Sequence, residues 1–123
     1  MVGRALRSSD KIHRLVTRME KIQKSFPSKP IHWPASRQWA LAGVVGSGNL
    51  EVLIEPTPSS PDSVEVVIET SIAGYEDSWL AAIEHFATHY AVGGTLITIH
   101  DQGAVPVVIM MRLRQALSHL TNP

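Results

Sequence analysis

Cysteine is missing from all 123 residues, which excludes a disulfide scaffold, thiolate metal sites and a cysteine nucleophile. Long apolar runs are missing too, since no stretch approaches the roughly 18 residues that a membrane helix needs. The N-terminus is positively charged, but no apolar stretch of roughly 7–15 residues follows it, so it does not read as a secretory signal. The expected location is therefore cytoplasmic. Nor is there a surplus of either charge sign: Lys+Arg and Asp+Glu tie at 11 each. With 44% of residues apolar, the composition excludes wholesale disorder and fits one small globular domain.

The charge balance hides an asymmetry. Residues 1–24 hold seven lysines and arginines against two acids, net +5, and the remaining 99 hold four against nine, net −5. A basic arm precedes an acidic body. Ser8, Ser9 and Asp10 offer N-caps, and Ile12, Leu15, Val16, Met19 and Ile22 recur at helical spacing. That pattern predicts an amphipathic helix over 10–24. Prolines 27, 30 and 34 then break regular structure, because each removes a donor and pushes its predecessor towards extended geometry. The expected division is an arm and Pro-rich linker over 1–36 and a folded domain over 37–123.

Within the domain, apolar residues from Trp39 to Val45, the turn signal Gly46-Ser47-Gly48-Asn49 and the run Leu50–Glu55 predict a hairpin over 39–55. Val64–Thr70 reads as a third strand and Thr95–Ile99 as a fourth. Between them Trp79, Ile83, Phe86 and Tyr90 are spaced for a helix, capped by Asp77 or Ser78 and closed by Gly93-Gly94. After His100-Asp101-Gln102-Gly103 turns the chain, Pro106 suits a first helical turn. Val108, Ile109, Leu113, Ala116 and Leu117 then carry a last helix. The expected fold class is α+β, ordered βββαβα: an antiparallel-type sheet of about four strands with two helices on one face.

Few residues are arranged for chemistry. Gly46-Ser47-Gly48 reads either as a plain hairpin turn or as two glycines clearing space around a hydroxyl that another protein reaches and modifies. It is not a nucleophile elbow, because Val45 stands where glycine is needed. It is not a dinucleotide fingerprint either, for the third glycine and the following helix are missing. His85 and His89, four apart, could share a metal on a helix face, but His85 points well away from the buried stripe, His89 lies at its edge, and no third ligand has an obvious place nearby. Ser47, His100 and Asp101 do not suit a triad, since adjacent His and Asp side chains diverge from a strand end. Asp101 is expected to cap the turn before Gly103. Arg112 and Arg114, two apart on a helix, face different ways; either could pair with an acid or lie beside a phosphate. The basic helix lacks an aromatic anchor for a membrane, and a translation start at Met19 would delete most of its charge.

The stretch Leu41-Ala42-Gly43-Val44-Val45-Gly46-Ser47-Gly48-Asn49-Leu50-Glu51-Val52-Leu53 resembles the acyl carrier (delta) subunit family of bacterial malonate decarboxylase. In that family a V-G-S-G-[DN]-[LM]-E-V-L segment holds the serine that receives a prosthetic group. The resemblance continues at Glu69-Thr70-Ser71-Ile72 and Trp79, resumes at Ile97–Pro106, similar to the family's I-x-I-H-D-F-G-A-T-P, and reaches Arg112. It covers about 37–118. Gln102, Val105, Val107 and Met110 depart from the family's usual phenylalanine, threonine, glycine and arginine.

The resemblance implies a non-catalytic carrier subunit. Its site residue would be Ser47, flanked by Gly46 and Gly48, joined through a phosphodiester to 2′-(5″-phosphoribosyl)-3′-dephospho-coenzyme A. The terminal thiol of that group would hold acetyl or malonyl while malonate becomes acetate and carbon dioxide. Implied partners are the acetyl/malonyl transferase subunit, the carboxy-lyase subunits, the malonyl transferase and the prosthetic-group transferase, with no nucleic acid or membrane. Two alternatives are the related carrier (gamma) subunit of citrate lyase and a non-carrier binding module in which Ser47 is only a turn residue.

Overall fold

The computed structural model of the chain describes residues 20–32, 39–44, 46, 48–57 and 60–121. Five strands form one sheet: β1 (Glu20–Pro27), β2 (Ala40–Gly43), β3 (Leu50–Pro56), β4 (Ser63–Thr70) and β5 (Thr95–Asp101). Among the described residues there are two helices, α1 (Glu76–His89) between β4 and β5 and α2 (Pro106–Thr121) after β5. The spatial order is β1-β4-β5-β3-β2. β1 with β4, β3 with β5 and β2 with β3 pair antiparallel, whereas β4 and β5 are parallel.

The α+β class, the hairpin and both body helices are as expected, and three details are corrected. The sheet has five strands rather than four. It is not purely antiparallel, because α1 supplies the crossover that lets β4 and β5 run parallel. The helix expected over 10–24 is a strand at 20–24, and residues 10–19 lie outside the described residues. Of the residues whose spacing predicts that helix, only Ile22 lies in β1. The strand's buried residues, Ile22 and Phe26, are four apart, and Lys24 between them shares their face by register but is exposed at the sheet edge. A charge on the core-facing side of an edge strand also discourages edge-to-edge association.

One face of the sheet is the core. Ile22, Ile68, Ile99, Val52 and Ala42 form a row across all five strands, and Val66, Ile97, Ile54 and Ala40 form the next. α1 covers this face with Trp79, Ile83, Phe86 and Ala87, and α2 with Ile109, Leu113, Ala116 and Leu120. Each large aliphatic or aromatic side chain sealed here contributes about 1.5–3 kcal/mol. The alanines of β2 let α2 approach closely over β2 and β3, while α1 lies on the β1 side.

Residues 28–31, expected in the linker, are tied to the same body. The buried Ser28 hydroxyl lies 2.8 Å from the Ala87 carbonyl and accepts from the Val92 N–H at 3.0 Å. Ile31 N–H donates to the Gly93 carbonyl, and its side chain is buried in the core. Among the described residues no helix is long and apolar enough to cross a membrane.

The topology brings functional candidates to one end of the sheet. β2 ends there at Gly43 and β3 begins at Leu50, while β4 ends at Thr70 and β5 at Asp101. The 44–49 connection, the 71–75 and 102–105 loops and the first turns of both helices therefore share that end.

Candidate functional site

Ser47 and Val45 lie outside the described residues, and the geometry of the site is that of their neighbours. Asn49 N–H donates to the Gly46 carbonyl at 2.9 Å, closing a four-residue turn around position 47. Gly48 N–H donates to the Gln102 carbonyl at 2.7 Å, and Gln102 N–H returns a bond to the Asn49 carbonyl at 3.0 Å. The turn is thus fastened to the 102–105 loop through backbone groups, so the side chain at 102 can depart from the family pattern without loosening it. Gly48 has φ +71°, a conformation that side chains disfavour. A Cβ added at Gly46 or Gly48 would meet nothing within 4 Å. Both flanks of position 47 are open.

Asp101 holds the loop from below. It is buried, and its carboxylate accepts from Thr70 Oγ1 at 2.8 Å, Gly103 N–H at 3.1 Å and Ala104 N–H at 2.9 Å. This is the turn-capping role expected from the sequence. The adjacent His100 projects from the other sheet face, where Nε2 lies 3.0 Å from Glu69 Oε1 and Nδ1 lies 3.6 Å from Glu51 Oε1. Residues 100 and 101 therefore work on opposite faces, as strand alternation requires. They do not form part of one triad.

Arg112 reaches the turn from α2. Its Nε–H donates to Asn49 Oδ1 at 3.4 Å, and Nη1 donates to Gln115 Oε1 at 2.9 Å. Asn49 is itself fixed, because the same Oδ1 accepts from the Leu50 N–H at 2.8 Å. Gly43 makes room for this arrangement. It sits at φ +81°, and an added Cβ would collide with the Leu50 carbonyl and lie 3.1 Å from Arg112 Cδ. Gly43 carries no signal in the sequence beyond being a glycine within an apolar run. The role of Arg112 is not legible in the sequence, because its contact to Asn49 spans 63 positions. Arg114, in contrast, is exposed.

Between the first turns of the helices lies a cavity of about 500 Å³, lined by Ile72, Trp79, Ala104 and Ile109 among others, with Asp101 and Gly103 at its wall. It is largely apolar, and its one carboxylate is already committed to three donors. His85 and His89 lie elsewhere, on the exposed side of α1. Their rings stack at 4.0 Å, and His89 Nδ1 is 2.8 Å from the His85 carbonyl. α1 starts at Glu76 with Tyr75 at its N-cap and no side-chain cap, so Asp77 and Ser78, the expected caps, lie inside its first turn.

Comparison with known proteins gives a consistent result. Residues 37–120 match the family described as "Malonate decarboxylase delta subunit (MdcD)". The malonate decarboxylase acyl carrier protein of Acinetobacter calcoaceticus is 37% identical over 100 residues, covering 81% of this chain and 95% of that one. The protein of the same name from Burkholderia cepacia is 39% identical over 107 residues, covering 86% and 94%. A chain in the crystal structure of a Pseudomonas malonate decarboxylase hetero-tetramer in complex with malonate superposes with a TM-score of 0.69 at 35% identity, over 81% of this chain and 97% of that one.

Proposed function

We propose, since the chain belongs to the malonate decarboxylase delta-subunit family and is an acyl carrier subunit of that system, that Ser47 is joined through a phosphodiester to 2′-(5″-phosphoribosyl)-3′-dephospho-coenzyme A. One observation carries this reading: the turn is fastened by backbone bonds to the 102–105 loop while both glycines beside Ser47 face open space. A turn built this way presents a hydroxyl to a modifying protein without opening the core. When bound, the group supplies a terminal thiol that holds acetyl or malonyl during acyl exchange and the decarboxylation of malonate to acetate and carbon dioxide.

The chain's own residues hold and present. Gly48, Asn49 and Gln102 fix the turn, and Asp101 fixes the loop beneath it. Arg112, bonded to Asn49, places a cation two residues from Ser47, and a guanidinium suits a phosphodiester on chemical grounds. The residues present thus fit the group. The carrier contributes no acid–base step; tethering raises the local concentration of the acyl group at successive active sites. Partners of this cytoplasmic carrier would be the acetyl/malonyl transferase subunit, the carboxy-lyase subunits, the malonyl transferase and the prosthetic-group transferase. The Pseudomonas relative's place in a hetero-tetramer supports a multi-subunit setting.

Co-expression with the prosthetic-group transferase, followed by intact mass measurement, tests the reading. The wild-type chain should gain the mass of one group and Ser47→Ala none. A wild-type chain that stays unmodified would leave the turn with a purely structural role.

A further inference from the structure

Three anion-friendly features meet at the turn end of the sheet, and two of them are already spent. The first turn of α2 starts with Pro106, which has no N–H, and the Val108 and Ile109 N–H groups both donate to the Val105 carbonyl at 2.9 and 3.1 Å. The first turn of α1 carries Glu76 and Asp77, which oppose an anion there. The third feature is Arg112. Of its five N–H donors, one points to Asn49 and one to Gln115, which leaves three without an acceptor among the described residues. It makes no ion pair among those residues either, the described pairs being those of His100 with Glu51 and Glu69.

We infer that Arg112 is the phosphate-binding residue of this carrier, holding the phosphodiester attached at Ser47 through its unused Nη donors. The inference rests on the proposed modification of Ser47. Consecutive Cα atoms are about 3.8 Å apart, so chain connectivity alone keeps the Cα of residue 47 within about 8 Å of that of residue 49, to which the guanidinium is bonded. The guanidinium is also oriented. Its stem packs on Gly43, its Nε–H is directed at Asn49, and Asn49 is fixed by the Leu50 N–H. A planar fork held in this way can give two parallel bonds to phosphate oxygens, which an ammonium cannot. Arg112 thus anchors the root of the arm, and the part beyond the phosphodiester remains free to visit other subunits.

The test compares apo and loaded forms, each verified by intact mass, of wild type, Arg112→Gln and Arg112→Lys. Subtracting the apo melting temperature removes whatever Arg112 does for the fold through Asn49 and Gln115. Loading should raise the wild-type Tm by roughly 2–6 °C, as expected of a half-exposed charge pair in a domain this small. The rise should vanish in Arg112→Gln, shrink in Arg112→Lys, and weaken in about 0.5 M salt. In the wild type, the Arg112 Nε–H resonance should move on loading, a readout that does not depend on any variant folding. A loaded wild type with an unmoved Arg112 resonance, or an equal Tm rise in all three proteins, would overturn the inference while leaving the modification of Ser47 intact. A wild-type chain that gains no mass would overturn both.

Discussion

Thr70 and Asp101 end the two parallel strands side by side, and the Thr70 hydroxyl donates to the Asp101 carboxylate at 2.8 Å with both residues buried. The same carboxylate takes the Gly103 and Ala104 N–H groups, so one side chain joins β4, β5 and the loop that carries Gln102. Because Gln102 in turn holds Gly48 and Asn49, the turn's position depends on a residue more than fifty positions away.

Asp101→Ala should lower stability by about 2–4 kcal/mol, since three donors, one of them fully buried, lose their acceptor. Thr70→Val removes one donor and should cost about 1 kcal/mol. Urea unfolding of both variants checks the order. Equal costs, or an Asp101→Ala protein as stable as the parent, would show that the loop is held by something else.

Two glycines near the turn should respond oppositely. Gly43→Ala meets the Leu50 carbonyl at a left-handed φ and crowds Arg112, so a loss of about 2 kcal/mol or more is expected. Gly46→Ala meets open space and should stay within about 0.5 kcal/mol of the parent. Gly46→Val should also keep the fold, as seen by circular dichroism, yet block modification of Ser47 by crowding its hydroxyl. A Gly46→Val chain that loses its fold would show that this glycine serves the structure first.

The body was legible because its strands are buried on one side and its helices on one stripe, so residues such as Val64, Val66 and Ile68, or Trp79, Ile83 and Phe86, repeat at the period of their element. The tight Asp101 turn was legible because an aspartate two residues before a glycine caps locally. β1 was not. An edge strand is covered only where a helix lies over it, so Ile22 and Phe26 are buried while Lys24 between them is exposed, and β1 shows no clean alternation to set against the helical spacing of Ile12, Leu15, Val16 and Met19 before it. The parallel pairing of β4 with β5 and the Arg112–Asn49 contact were hidden for another reason. Both join distant positions, and neither leaves a trace in local spacing.

The position of β1 makes truncation informative. A chain starting at Met19 retains all of β1 and should keep its stability within about 0.5 kcal/mol. A chain starting at Ser28 loses Ile22 and Phe26 from the core and exposes the edge of β4, at a cost of about 1.5–3 kcal/mol for each side chain. Thermal melts of the two should differ by many degrees. A Met19-start protein that melts far below the full chain would show that residues 1–18 support the body.

His100→Gln should do little. Both of its glutamate partners are about one-third exposed, and such pairs contribute at most about 1 kcal/mol. Loading of Ser47 should proceed at the parent rate, because His100 faces away from the loop that Asp101 holds. Loss of loading in a folded His100→Gln protein would place that sheet face in contact with the transferase.

The central claim is that one hydroxyl in an open, fastened turn receives the prosthetic group. Tandem mass spectrometry of protease fragments from loaded protein tests it most directly. The account predicts the added mass on the fragment containing Gly46-Ser47-Gly48, with fragment ions assigning it to Ser47 and to no other serine or threonine. Added mass on a different residue, or a modified Ser47→Ala protein, would contradict it.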